Sequence, residues 1–167
     1  FPVNSLLISP HCSQAENEIV YIMSHNDVVR LQQFPPTKAL LFYTCRHCKI
    51  TTIKAGAFLD SPNIAMLDLS FNKISSENLN PDIFRGPFSD DAYSPINLHS
   101  LDLSHNELNY LDKMLFEHTP ELRKLDLSYN NFNNLDEGTD EALGKLEHLE
   151  ILDLSYTGIM ELPGAAI

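Results

Sequence analysis

A chain of 167 residues, 43% hydrophobic and 20% charged, has the composition and length of one ordinary globular domain with a continuous core. Its 23 acidic and 11 basic side chains give a net charge of −12; such a field repels nucleic-acid phosphates and anionic lipid heads and favours a basic protein surface as partner. No stretch approaches the roughly 20 consecutive apolar residues of a membrane-spanning helix, so membrane insertion is not expected.

The chain opens Phe1-Pro2-Val3, without an initiator Met or a basic leader, which suits a mature or trimmed product. From residue 18 an internal period takes over. Residues 18–28 read EIVYIMSHNDV and 40–50 read LLFYTCRHCKI. Residues 64–74 read IAMLDLSFNKI, 98–108 LHSLDLSHNEL, 122–132 LRKLDLSYNNF and 149–159 LEILDLSYTGI. The last four align without gaps on L-x-x-L-x-L-x-x-N-x-L. In the second copy Cys45 takes an inward leucine place and Cys48 the Asn place; the first copy is the weakest, with Tyr21, Met23, Asn26 and Val28 in register.

The spacing between Asn-equivalent positions is 22 from Asn26 to Cys48, and 24 both from Cys48 to Asn72 and from Asn106 to Asn130. Two intervals are longer. Asn72 to Asn106 is 34, which places an insertion within residues 75–97, rich in Pro, Gly and Asp and expected to be a surface excursion. Asn130 to Thr157 is 27, and Ala142, Leu143, Leu146 and Leu149 recur there at helical spacing, which predicts a short helix over 136–149.

The pattern resembles the leucine-rich-repeat family, on four complete copies and two degenerate ones that cover nearly all of the chain after residue 18. Phe58 with Pro62, and Phe116 with Pro120, match the return-side pattern of its 24-residue class, common in extracellular members. The resemblance implies an α/β solenoid: a short curved horseshoe of about six repeats with a parallel concave sheet. Residues 1–17 would form an N-terminal cap and 18–167 the repeats, the last of them incomplete. Extracellular members commonly staple the cap with disulfides; of the three cysteines, Cys12 with Cys48 is the favoured pair here, with Cys12–Cys45 and three reduced thiols as alternatives. Cys45 and Cys48 alone make a poor zinc site, so no metal or cofactor is expected.

The resemblance also implies protein binding on the concave face, in an extracellular or surface-receptor setting such as immunity or adhesion. Two columns stand out across the aligned copies. One holds His47, Phe71, His105, Tyr129 and Tyr156, with His25 in the weakest copy; aromatic rows with a polar edge make binding hot spots. The other is an acidic ladder, Asp68, Asp102, Asp126 and Asp153, beside which Arg123 and Lys124 make a mixed-charge patch. Histidines in the first column would alter that face on protonation. No nucleophile elbow, phosphate loop or metalloprotease motif is present, so no catalytic residue is assigned. A second expectation is self-association, or docking onto further repeats, through residues 152–167.

Overall fold

The computed structural model describes residues 11–15 and 17–160. Among them, seven strands form one sheet whose order follows the chain: β1 (His11–Ala15), β2 (Glu18–Ile22), β3 (Leu40–Thr44), β4 (Ile64–Asp68), β5 (Ser100–Asp102), β6 (Lys124–Asp126) and β7 (Ile151–Asp153). β2 to β7 run parallel, each pairing with the next, while β1 lies antiparallel on β2. A parallel pair in adjacent positions requires a return crossover of a dozen or more residues, and here each crossover is one turn of a solenoid-like stack.

The strand period of two sets what each residue does. Leu67, Leu101, Leu125 and Leu152 face each other in register on the inner side, with Asp68, Asp102, Asp126 and Asp153 in register on the outer side. Just past β4, β5 and β6 a second leucine, Leu69, Leu103 or Leu127, returns to the core, fully buried, and Met23 and Cys45 take that place after β2 and β3. On the return side Phe34, Phe58, Phe84 and Phe116 are buried, the Phe34 and Phe58 ring centroids 5.0 Å apart. The crossovers contain little regular structure: one eight-residue helix, two 3-10 turns and two two-residue strand pairs among the described residues.

The asparagines bind one turn to the next. The Asn72 side-chain oxygen accepts from the Cys48 and Ile50 amides, both at 3.0 Å, while its nitrogen donates to the Cys45, Leu69 and Ser70 carbonyls at 2.8–3.1 Å. Asn106 and Asn130 repeat the arrangement one and two turns on. Backbone groups that the bend removes from the sheet ladder are thus satisfied by a buried side chain, which spares the roughly 1–3 kcal/mol cost of each unpaired buried group.

The helix α1 (Glu137–Gly144) starts where the spacing predicts, with Asp136 as N-cap accepting from the Thr139 amide and hydroxyl. It stops five residues short of the expected 149. Leu146 and Leu149 still face the core, but through i to i+3 amide bonds to Leu143 and Leu146, a tightened turn instead of continued helix.

The insertion is also more than a surface excursion. Its first half makes 3-10 turns at Ser76–Asn78 and Pro81–Phe84 that bury Ile83 and Phe84 in the core, the Phe84 ring stacked 6.1 Å from Phe58. Its second half is a hairpin of Phe88–Ser89 with Ala92–Tyr93, turned by Asp90 and Asp91 at φ 51° and 62°. Gly86 is required at its base: a Cβ there would lie 2.4 Å from the Ser94 carbonyl oxygen.

The expected Cys12–Cys48 bridge is corrected. Cys48 is bonded to Cys45, Cα to Cα 5.8 Å, within the same turn. The reason lies in the register: the leucine place before the bend and the asparagine place after it both point into the core, so two cysteines three residues apart meet there. Most of the expected 1–17 cap, and residues 161–167 of the expected incomplete repeat, lie outside the described residues.

Candidate functional site

The strands β4 to β7 each end at an aspartate, and the chain then bends through the same set of contacts in each turn. The aspartate carboxylate accepts from the amide of the serine two residues on: Ser70 to Asp68 at 3.0 Å, and Ser104, Ser128 and Ser155 to Asp102, Asp126 and Asp153 at 2.9 Å. The Ser70, Ser128 and Ser155 hydroxyls donate to the same oxygen. These are Asx-type turns, in which a short acidic side chain holds its own backbone bend. One oxygen of every ladder carboxylate is therefore committed to the fold, and the other is left for the outer face.

The residue three past each strand end, after Ser24, Arg46, Ser70, Ser104, Ser128 or Ser155, then takes a left-handed conformation. His25, His47, Phe71, His105, Tyr129 and Tyr156 have φ between 53° and 64°. For a bulky L residue that region costs about 1–2 kcal/mol, yet none of the six is Gly or Asn. The conformation turns the following Asn, Cys or Thr inward and throws the ring outward. Successive turns then bring the rings face to face. Centroid separations along the column are 5.0, 4.6, 3.9, 4.1 and 4.6 Å, with interplanar angles from 7° to 29°. Each stacked pair contributes about 0.5–1.5 kcal/mol beyond area burial, comparable to the strain of its residue.

The sequence pattern puts these residues on the concave face; in the structure they lie three residues past the strand ends, in the turns along one flank of the sheet. Their faces are mostly used by one another, so the flank presents ring edges: imidazole nitrogens at His25, His47 and His105, hydroxyls at Tyr129 and Tyr156. Exposure is lowest in the middle of the column, at half-buried Phe71 and His105; His25 and His47 are exposed at one end, and Tyr156 reaches 75% at the other.

The ladder and the column meet at Arg46. Its guanidinium carbon lies 5.0 Å from the Phe71 ring centroid, its Nε donates to Ser70 Oγ at 3.0 Å, and Asp68 Oδ2 is 4.0 Å away. No basic side chain among the described residues lies within 4.0 Å of Asp102, Asp126 or Asp153. Burial raises the Asp102 carboxyl above its ordinary range, the Asp68 and Asp126 charges adding to it and the Ser104 hydrogen bonds opposing it. Asp153, at the open end of the ladder, is held below that range by its Ser155 side-chain and backbone hydrogen bonds. Arg123 is exposed just before β6, with its guanidinium 3.8 Å from Glu150, and Lys124 opens the strand on the outer face.

The sequence reading missed a third feature. The outer face of β2 to β4 carries an apolar patch: Val20, Phe42 and Met66 stand in one register row, and Ile22 and Leu40, 44% and 43% exposed, flank it, with Glu18, Thr44 and Asp68 at its edges. The signal was in residues 40–44, LLFYT, where alternation fails because both faces are apolar.

Among the described residues no three His, Cys, Asp or Glu side chains are grouped to hold a metal ion, and no helix is long and apolar enough to cross a membrane. Two family models match the chain, both described as leucine-rich repeat, one over residues 121–146 and the other over 94–110. Comparison with curated proteins gives no match. The two matches, together with the parallel sheet, support a leucine-rich-repeat protein with a solenoid-like α/β fold. Repeats of this class commonly mediate protein–protein binding and are typically non-catalytic.

Proposed function

We propose that this chain is a non-catalytic recognition module that binds a protein partner on the outer, concave face of its sheet and along the ring column beside it. The observation that carries the reading is the uninterrupted stack of His25, His47, Phe71, His105, Tyr129 and Tyr156, six bulky residues held at positive φ. Folding alone is served as well by Asn or Gly at such positions; a strained row of rings beside an acidic ladder is what an interface uses. Asp68, Asp102, Asp126 and Asp153 would supply charge, and Arg123 a rim contact.

On this reading the six parallel strands are six turns of a short horseshoe of the 24-residue extracellular class, with residues 1–17 as its cap. The buried Phe58 and Phe116 on the return side and the Cys45–Cys48 disulfide support that class and an oxidising, extracellular setting. The partner is a protein, with a basic surface suited to the net charge of −12.

A second reading, assembly through residues 152–167, has one observation behind it. Leu152, Leu154 and Ile159 are only partly buried, whereas Leu125, Leu127 and Phe132, their equivalents one turn earlier, are buried. Sedimentation velocity over a hundredfold concentration range separates the two: assembly gives concentration-dependent dimers that Leu154→Asp abolishes. Recognition is tested by affinity capture from extracellular fluid with the wild-type chain and a folded Tyr129→Ala/Tyr156→Ala variant. A protein retained by the first and lost by the second supports the reading; equal retention contradicts it.

A further inference from the structure

The sheet face is not uniform from end to end. Over β2, β3 and β4 it presents Val20, Ile22, Leu40, Phe42 and Met66, contiguous through the register Val20–Phe42–Met66, with Glu18 at one edge and Thr44 and Asp68 at the other. A contiguous patch of this kind on one face differs from scattered exposed apolar residues, which need no explanation. Over β5, β6 and β7 the Val20–Phe42–Met66 row continues as Ser100, Lys124 and Ile151, and the Ile22–Thr44–Asp68 row as Asp102, Asp126 and Asp153.

The charges do not cancel there. Arg123 is engaged with Glu150 and Arg46 with Asp68. Three carboxylates, Asp102, Asp126 and Asp153, then face one lysine, Lys124, outside those pairs, which leaves an excess of two negative charges on that half. Their committed oxygens are held by Ser104, Ser128 and Ser155, so the carboxylates cannot swing away to relieve one another.

We infer that the sheet face takes a polypeptide segment lying across the strands, its apolar end on Phe42 and Met66 over β2–β4 and its basic end on Asp102, Asp126 and Asp153 over β5–β7. This rests on the reading of the sheet and ring column as the recognition surface, and adds the chemistry and direction of what is recognised. Six strands at about 4.8 Å spacing span roughly 24 Å, about seven residues of extended chain. The two requirements therefore fit within one short segment. A lipid surface satisfies the apolar half but places anionic headgroups against the ladder; a purely basic segment leaves the apolar half wet.

The test is a phage-displayed random 12-residue peptide library, panned against the immobilised chain with its disulfide intact. Three variants run in parallel, each shown to be folded by circular dichroism: Phe42→Ser/Met66→Ser, Asp102→Asn/Asp126→Asn and Tyr129→Ala/Tyr156→Ala. The expected result is enrichment on the wild type of peptides with an apolar block and a Lys/Arg block four to six residues apart in one order, falling at least tenfold on the first two variants. Enriched peptides lacking that segregation, or unaffected by the first two variants, overturn the inference. If enrichment is lost only with the tyrosine variant, the inference fails while the recognition surface stands. If no peptide is enriched on the wild type, the inference fails on its own, and the capture experiment decides the broader reading.

Discussion

One early turn of the stack, the one after β3, solves with different chemistry the bend that the later turns share. In the turns that end at Asn72, Asn106 and Asn130, a buried amide side chain bridges two turns. In the turn that ends at Cys48, the amide is replaced by a disulfide to Cys45, and the next asparagine, Asn72, reaches back to bond the Cys48 and Ile50 amides and the Cys45 carbonyl. The outer faces also differ along the stack, largely apolar over β2–β4, where Asp68 is paired with Arg46, and charged over β5–β7. The inward residues are what folding requires and vary little between turns, while the outward ones are free to differ, so a contrast between turns on the outer face is where function leaves its mark.

The comparison can be broken most severely at Asn72. Asn72→Ala strips five hydrogen bonds from buried backbone groups on both sides of the divide and is expected to lose roughly 3 kcal/mol or more in urea denaturation. A loss below about 1 kcal/mol would show that the asparagine network is not what joins the turns.

The disulfide should matter less, because it closes a short loop. Cys45→Ser/Cys48→Ser, or reduction of the wild type, is expected to cost about 2 kcal/mol. Cys45→Leu/Cys48→Asn restores in the early turn the residues of the later ones and should recover most of that loss. Equal destabilisation by both double variants would mean that the early turn cannot accept the amide solution.

The acidic ladder gives a smaller effect with a definite sign. Asp102 has its folded pKa raised, so the folded state holds its proton more tightly than the unfolded chain. Stability from this group falls as pH rises from the unfolded carboxyl value, about 3.9, through the folded one. Asp102→Asn keeps the acceptor for Ser104, removes that slope and should raise stability slightly at neutral pH. Asp153 has its folded pKa lowered, so its contribution is present above the unfolded value and is lost as pH falls through the folded one. Asp153→Asn should therefore flatten the acid limb in the opposite sense. Thermal melts from pH 3 to 7 read both, and slopes of the same sign in the two variants would refute the assignment.

The smallest stability effect is expected at Tyr156, 75% exposed at the end of the column. Tyr156→Ala removes only the terminal stacked pair and should cost about 0.5 kcal/mol, the low end for such a pair, which is what makes it useful in binding assays.

What the sequence disclosed follows the same division. The register of Leu67, Leu101, Leu125 and Leu152, and of the four aspartates, was legible because a period of two across aligned copies leaves no other arrangement. The ring column was visible as a column, but its stacking was not. Whether a residue before Asn ends a strand or turns a corner depends on its φ, which His, Phe and Tyr do not announce as Gly would. Residues 40–44 concealed the apolar face because their outward residues are as apolar as the inward ones. The Cys45–Cys48 bond was missed because the resemblance directed attention to Cys12, whereas the local register already placed both sulfurs in one core. The insertion read as surface from its Pro, Gly and Asp content, and nothing local marked Ile83 and Phe84 as core.

Binding along one flank and one face of the sheet would leave a defined footprint in hydrogen–deuterium exchange of the chain alone and in complex with its captured partner. Protection is expected at the turns carrying His47, Phe71, His105, Tyr129 and Tyr156 and at β3 to β7. Protection confined to the hairpin around Phe88 and Tyr93, or to the return-side turns, would contradict it.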